Sequence, residues 1–593
     1  MRFIGKALLV VFAVVGILAS VLIVSGAVAL SSFIGKDEPL PTKLVLDLDA
    51  SGSFSEDGGA LPGLGFLSGE GERPSLRAVT EGLIAAASDP TVKGLMVRIG
   101  EGSLGMAQAQ ELRQAILAFR ASGKPSIAYA ETIGEFGQGT VPYYLASAVE
   151  DVWLQPSGML GTTGFAVRMP FVRKLLDDLG ILPQFIARKE FKDAAATATQ
   201  YGMSPAQEIS FGALVQGWSG QVVRAVAEAR GLSEDQVRGL IDRSPLLAAE
   251  ALESGLIDRL GYPDEARKAM GERAGTDEHL SVGQYAERQA KAKPAPGAKG
   301  LALIAASGPI VTGDGKVSPF DGKEIDARAL AATIDSAVDD AGVAAIVLRI
   351  DSPGGSYVGS DLVWRAVSRA RQHGLPVIAS MGDVAASGGY YMAMGANKIV
   401  AQPGTLTGSI GVVAGKFTIA KASEDLGIAW GGVEAGRNAA LFSLTDPFDE
   451  AGQRRMDQIL DAIYADFTGK AAAGRGLSPE AIEEAARGRV WTGEDALAHG
   501  LVDALGGLQT AIELARTEAG LDPHAPLAIT VYPKREGPEW LLRALMSAEQ
   551  IGGVRSVRAA LGLVSGLSSE LAPTIDGLRA TSAGPLAMPV IGR

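Results

Sequence analysis

Three kinds of apolar pattern run along this chain. The first is an unbroken stretch from Ala7 to Leu30, in which Ser20 and Ser25 are the only polar side chains. A helix of that length, rising 1.5 Å per residue, spans the roughly 30 Å hydrocarbon core of a bilayer. The second is the short apolar run bounded by turn residues, as in Gly94–Ile99 and Ala345–Ile350, which reads as a buried strand. The third is helical spacing, present over Ala109–Phe119 and Leu362–Arg371, each after a Gly/Ser-rich turn. Strands alternating with amphipathic helices predict parallel βαβ units whose helices cover the sheet.

The same unit occurs twice. Tyr143-Tyr-Leu-Ala matches Tyr390-Tyr-Met-Ala, Gly161-Thr-Thr-Gly164 matches Gly408-Ser-Ile-Gly411, and Asp178-Leu-Gly180 matches Asp425-Leu-Gly427, all at an offset of 247. Gly255-Leu-Ile-Asp258 pairs with Gly500-Leu-Val-Asp503 at an offset of 245. A register held over that distance marks a tandem duplication of an α/β domain. The expected organisation is an anchor over residues 1–36, a first repeat over 37–288 and a linker over 289–300. A second repeat over 301–533 and a tail over 534–593 complete it. The linker is rich in Ala, Lys, Pro and Gly and carries no hydrophobic period, and Ser51–Pro74 reads as an exposed Gly-rich loop. Helical spacing after Pro533 suggests a packed or disordered appendix without chemistry.

Charge gives the apolar N-terminus a direction. Arg2 and Lys6 precede it, while Asp37 and Glu38 follow Lys36, so the N-terminus is expected in the cytoplasm and the body across the membrane. Ala27-Val28-Ala29 resembles a signal cleavage site, but the stretch exceeds a usual signal core of about 7–15 residues, which favours a retained anchor. The net charge of -13 offers no basic footprint for nucleic acid. The absence of cysteine removes disulfides, thiolate nucleophiles and Cys-based zinc sites. There is also no HExxH pattern, and no metal or cofactor is expected.

Met381-Gly-Asp-Val-Ala-Ala-Ser-Gly-Gly-Tyr390 carries the strongest chemical signal. Small neighbours let a substrate backbone approach Ser387, and the N–H groups of Gly388 and of Gly355, in Asp351-Ser-Pro-Gly-Gly-Ser356, are candidate oxyanion donors. Taken alone, the pattern also fits a tight strand-to-helix junction. The first repeat has Thr140 at the position of Ser387, followed by Val141 and Pro142, and proline there is expected to block the turn. The position of Lys192 is occupied in the second repeat by Ala439. Serine survives in one half and lysine in the other, although the residues alone leave Lys189 and Lys192 open as the base.

These motifs, in this order, resemble the Clp protease and crotonase superfold, and more narrowly the long, two-repeat signal peptide peptidase A family. The resemblance covers the chain from the anchor to about Asp503. It implies two Clp/crotonase-like domains behind one transmembrane helix, with Ser387 as nucleophile, Lys192 as general base and Ser409 orienting the lysine. It further implies a homotetramer in the bacterial inner membrane, its catalytic body on the periplasmic side, degrading cleaved signal peptides. The chain departs from the family pattern at Asp193, where serine is common; the change is expected to matter little, although a carboxylate pointing inward would raise the lysine pKa.

Other readings are weaker. His279, His373, His499 and His524 all fall outside the matched motifs, which leaves a Ser–His–Asp triad without a supported base. Gly100-Glu-Gly-Ser-Leu-Gly105 fits a dinucleotide fingerprint formally, but it aligns with Asp351–Ser356 and no acidic strand end follows, so it reads as a decayed oxyanion turn. A crotonase-like acyl-CoA enzyme would need a catalytic carboxylate and no role for Ser387. An inactive membrane-bound scaffold would leave Ser387 unreactive.

Overall fold

A computed structural model describes residues 41–56, 75–100, 102, 104–289, 299–313, 324–523 and 525–534. The apolar stretch Ala7–Leu30, most of the Gly-rich loop and of the linker, the tail after residue 534, and His524 lie outside these residues. Among the described residues no helix is long and apolar enough to cross a membrane.

The first repeat is built on a six-stranded sheet. Its strands are β1 (Leu44–Ala50), β2 (Val92–Ile99), β3 (Ser126–Ala130) and β4 (Asp151–Leu154). After β5 (Met159–Leu160), β6 (Leu182–Arg188) and β7 (Leu246–Leu247) come β8 (Arg259–Leu260) and β9 (His279–Ser281). The sheet order is β8-β4-β3-β2-β1-β9, every pairing parallel. Helices α1 (Leu76–Ser88), α2 (Met106–Arg120), α3 (Thr140–Ala146) and α4 (Pro205–Arg230) surround it.

The second repeat copies this order. It contains β10 (Gly300–Ser307), β11 (Ile310–Val311), β12 (Ile325–Asp326), β13 (Val343–Ser352) and β14 (Val377–Ala386). It continues with β15 (Lys398–Ala401), β16 (Leu406–Gly408), β17 (Val412–Thr418), β18 (Val490–Thr492), β19 (Ala504–Leu505) and β20 (Ile529–Tyr532). Its parallel path β19-β15-β14-β13-β10-β20 matches the first sheet strand for strand. The antiparallel pair β16–β18 mirrors β5–β7. The corresponding helices are α5 (Ala327–Val338), α6 (Tyr357–Gln372), α7 (Gly388–Ala393) and α8 (Glu450–Arg475).

Alternation within single strands explains the layering. Ala302, Ile304, Ile346 and Leu348 face the main core of the second repeat. Leu301, Leu303, Ala345 and Val347 face a separate cluster closed by Leu508 and Ile512. Both faces are covered, so these strands read as continuous apolar runs rather than alternating ones. The long helices α4 and α8 are bounded by Ser204 and Asp449 as N-caps and by left-handed Gly231 and Gly476 at their C-termini.

Two further contacts join the repeats. Strand β6 of the first pairs antiparallel with β17 of the second along its full length. Arg349 on β13 is buried between Glu56 and Glu111 of the first repeat, at 2.8 and 2.9 Å. Glu111 also accepts from the Leu508 N–H at 2.9 Å, which ties α2 to the second repeat.

At Pro142 the first repeat does not reproduce the Ser387 turn: the helix begins one residue earlier, at Thr140, which lacks the positive φ of Ser387. A helix nevertheless starts there, because Pro142 falls in the first turn of α3, where its missing N–H costs no helical hydrogen bond. The dinucleotide-like turn is engaged from within the chain: the Asp383 carboxylate accepts from the N–H groups of Ala107 and Gln108, at 2.9 and 3.1 Å, at the start of α2.

Candidate active site

Ser387 sits at the junction of β14 and α7, and the sequence makes that junction abrupt. Its φ of +55° is unusual for a residue with a side chain, and its N–H donates to the Gly408 carbonyl at 2.8 Å. Gly388 and Gly389 open α7 against the Asp351–Ser356 turn. A Cβ on Gly388 would stand 3.1 Å from the Gly354 Cα, and one on Gly389 would stand 2.7 Å from the Ser352 carbonyl. Only glycine permits that approach. Gly355 adopts φ +148°, and a Cβ there would collide with the Ile310 backbone. The two glycine turns therefore pack on each other beside Ser387. The Gly388 N–H belongs to the first helical turn, whose N–H groups lack intrahelical acceptors.

Lys192 arrives from the other repeat, in the turn that follows β6. The β6–β17 pairing sets Arg188 opposite Val412. Past Arg188 the chain leaves the pairing in a turn, in which the Lys192 N–H donates to the Lys189 carbonyl and the Phe191 N–H to the Arg487 carbonyl, each at 3.2 Å. Nζ of Lys192 lies 2.7 Å from Ser387 Oγ, and 2.9 Å from both the hydroxyl and the carbonyl of Ser409. Gly488 supports this loop from below, since a Cβ there would strike the Lys192 backbone. Ser387 is fully buried and Lys192 is 3% exposed. Burial lowers the lysine to about 7, against a smaller upward pull from Asp193. Asp193 itself is pushed up to about 6, chiefly by burial.

Lys189 does not share this environment. It lies in the turn after β6, not on a helix with Lys192, and pairs with Glu483 at 2.8 Å with its side chain 46% exposed. The described histidines are engaged elsewhere: His279 contacts Asp47 at 2.7 Å, His499 packs on Trp491, and His373 ends α6. No group of three or more His, Cys, Asp or Glu among the described residues could hold a metal.

The first repeat lacks the counterpart. Thr140 Oγ1 is turned to the backbone of Gly164, accepting from its N–H at 2.9 Å and donating to its carbonyl at 3.1 Å. Ala439 lies in an exposed loop. Sequence reasoning missed Gly408, the Ser409 carbonyl and Gly488; all act through backbone, which leaves no signal in side-chain identity.

The model of peptidase family S49 matches residues 118–277 and 369–522, one stretch in each repeat. The chain belongs to peptidase family S49. Serine protease SPPA of Arabidopsis thaliana, chloroplastic, is 34% identical over 454 residues, covering 75% of this chain and 66% of its own. Protease 4 of Salmonella typhi is 32% identical over 464 residues, covering 75% and 72%. A ClpP1 mutant from Listeria monocytogenes aligns over 35% of the chain and 94% of its own at 14% identity, with a TM-score of 0.24, too low to bear on the fold. This S49 chain is a serine protease, which displaces the acyl-CoA and inactive-scaffold readings.

Proposed function

We propose that this S49 protease is a membrane-anchored endopeptidase in which Ser387 attacks the scissile carbonyl and Lys192 takes its proton. One observation carries the assignment: Nζ and Oγ are 2.7 Å apart in a buried site. A lysine works as a base only when neutral, and burial that brings it to about 7 leaves a useful neutral fraction at physiological pH. Ser409, at 2.9 Å through two atoms, orients the lysine amine. The N–H groups of Gly388 and Gly355 then receive the developing oxyanion, each worth about 3–4 kcal/mol. Lys192 returns the proton to the leaving amine, and water resolves the acyl-enzyme on Ser387.

The substrates in this reading are signal peptides left after secretion and similar apolar peptides. The run Ala7–Leu30 supports the anchor, and its charged flanks support a periplasmic catalytic body on the bacterial inner membrane. Repeat symmetry supports a homo-oligomer, with a tetramer as the proposed number. In the second repeat, residues 429–435 correspond to β6; in the first, residues 165–171 correspond to β17. Neither forms a strand among the described residues, and Trp430 and Val433 are 60% and 101% exposed. The two segments suit pairing between neighbouring copies.

Hydrolysis of a fluorogenic apolar peptide tests the dyad. Ser387→Ala and Lys192→Ala are expected to lose about a thousandfold or more in kcat while remaining folded, and Lys189→Ala to retain activity. Near-normal turnover by Lys192→Ala would remove the base assignment, and turnover by Ser387→Ala would remove the nucleophile.

A further inference from the structure

The first repeat holds a cavity of about 470 Å³ around the position where the second repeat carries its serine. Thr140 lines it, together with Leu104, Val141, Phe165 and Trp218 of the first repeat and Val384 and Leu406 of the second. Phe165 and Trp218 stand with ring centroids 5.9 Å apart, giving it an aromatic wall. Backbone of Gly105, Gly134, Gly164 and Gly404 completes the lining. The volume lies within the ordinary range for ligand sites, about 300–1,000 Å³.

The lining chemistry narrows the occupant. The carboxylate at the edge, Asp383, is taken by the Ala107 and Gln108 N–H groups, so the start of α2 is not open to a phosphate. The apolar side chains suit an uncharged, apolar peptide, while the backbone of Gly164 is already paired with Thr140 and that of Gly404 with Gln110 and Trp218. Thr140 Oγ1 is held by the Gly164 backbone, and the second repeat has Ala439 where it would have to supply a lysine to Thr140, so this site has neither nucleophile nor base to cut such a peptide.

Continuity with Ser387 identifies which peptide. Val384 and Leu406 are register partners on β14 and β16, and the same two strands run on through the Ala386–Gly408 pair to the junction that bears Ser387. At about 3.3 Å per residue, Val384 and Ser387 lie about 10 Å apart along the strand. A polypeptide with its scissile bond at Ser387 therefore reaches the cavity within a few residues.

We propose that the first repeat keeps the peptide-holding cavity of a site whose nucleophile it lacks, and that this cavity grips an apolar stretch of the polypeptide that Ser387 cuts. The inference rests on the assignment of Ser387 as nucleophile. Its test measures binding rather than hydrolysis, so the two fail separately.

The probe is a twelve-residue Leu/Ala-rich peptide bearing a benzophenone and a fluorophore, added to the full-length Ser387→Ala protein in detergent. Photo-crosslinks are expected on the segments containing Val141, Phe165 or Trp218. Val141→Glu, which puts charge in the cavity, and Val215→Trp, which fills it from a lining position on α4, are each expected to weaken binding at least fivefold by fluorescence anisotropy. Either variant, shown folded by its melting curve, that binds within fivefold of the parent overturns the proposal. Where neither variant folds, the crosslink decides, and labelling confined to residues outside the cavity overturns it. Light scattering tests the other occupant: a fall in oligomer mass in both variants with peptide affinity retained would assign the cavity to a second copy of the chain.

Discussion

Ser409 touches the Lys192 ammonium twice, through its hydroxyl and through its carbonyl, each 2.9 Å from Nζ. The carbonyl belongs to the backbone and survives substitution, so Ser409→Ala removes one of two tethers. Loss of orientation without loss of the base is expected to lower kcat by about ten- to a hundredfold and leave KM nearly unchanged. A fall as deep as that of Lys192→Ala in the peptide assay would give the Ser409 hydroxyl a larger role than orientation.

The pH profile follows from burial. Lys192 is expected to accept a proton from Ser387 only when neutral, so kcat/KM should rise with pH through about 7 and then level. The Asp193 carboxylate pulls the lysine upward, and Asp193→Asn should move the inflection to lower pH. An unmoved inflection would separate Asp193 from the proton transfer.

The same lysine links stability to pH. Burial holds folded Lys192 at about 7, below its unfolded value of about 10.4, so between these pH values the unfolded chain binds a proton that the folded chain lacks. Its contribution therefore makes stability rise with pH across that window. Urea unfolding at pH 7.5 and 9.5 should show a smaller rise for Lys192→Met than for the parent.

Arg349 is 2% exposed and is the buried partner of Glu56 and Glu111. Replacing it with Met leaves two carboxylates without their cation at the junction of the repeats, a change that costs about 3–5 kcal/mol in comparable buried pairs. Burial already holds the Glu111 carboxyl above its usual range. The loss should therefore shrink as pH falls and the Glu111 carboxylate protonates. Melting curves of Arg349→Met that match the parent at pH 8 would contradict this.

Trp430 and Val433 test the assembly. Replacing both with Asp should lower the mass seen by light scattering while leaving the fold intact by circular dichroism, because the segment lies on the exposed surface. Unchanged mass would move the interface elsewhere.

The sequence by itself determined the repeated βαβ framework, because burial on both sheet faces requires apolar runs such as Ala345–Ile350 and the duplicated motifs keep their register. It also singled out the Ser387 turn, where only small residues allow the backbone to approach so closely. It did not exclude Lys189, because two lysines three residues apart differ in environment only after the chain has folded. Tertiary structure decided that choice. The β6–β17 pairing brings the first repeat alongside the second, and the turn after β6 sends Lys192 inward to Ser387 and Ser409 while Lys189 pairs with Glu483 outside. Pro142 shows the same limit from the other side: its effect depends on where the helix begins, and α3 begins early enough to place it in the first turn. The cavity beside Thr140 arises where walls from both repeats meet, a property of their packing that no single stretch of sequence contains.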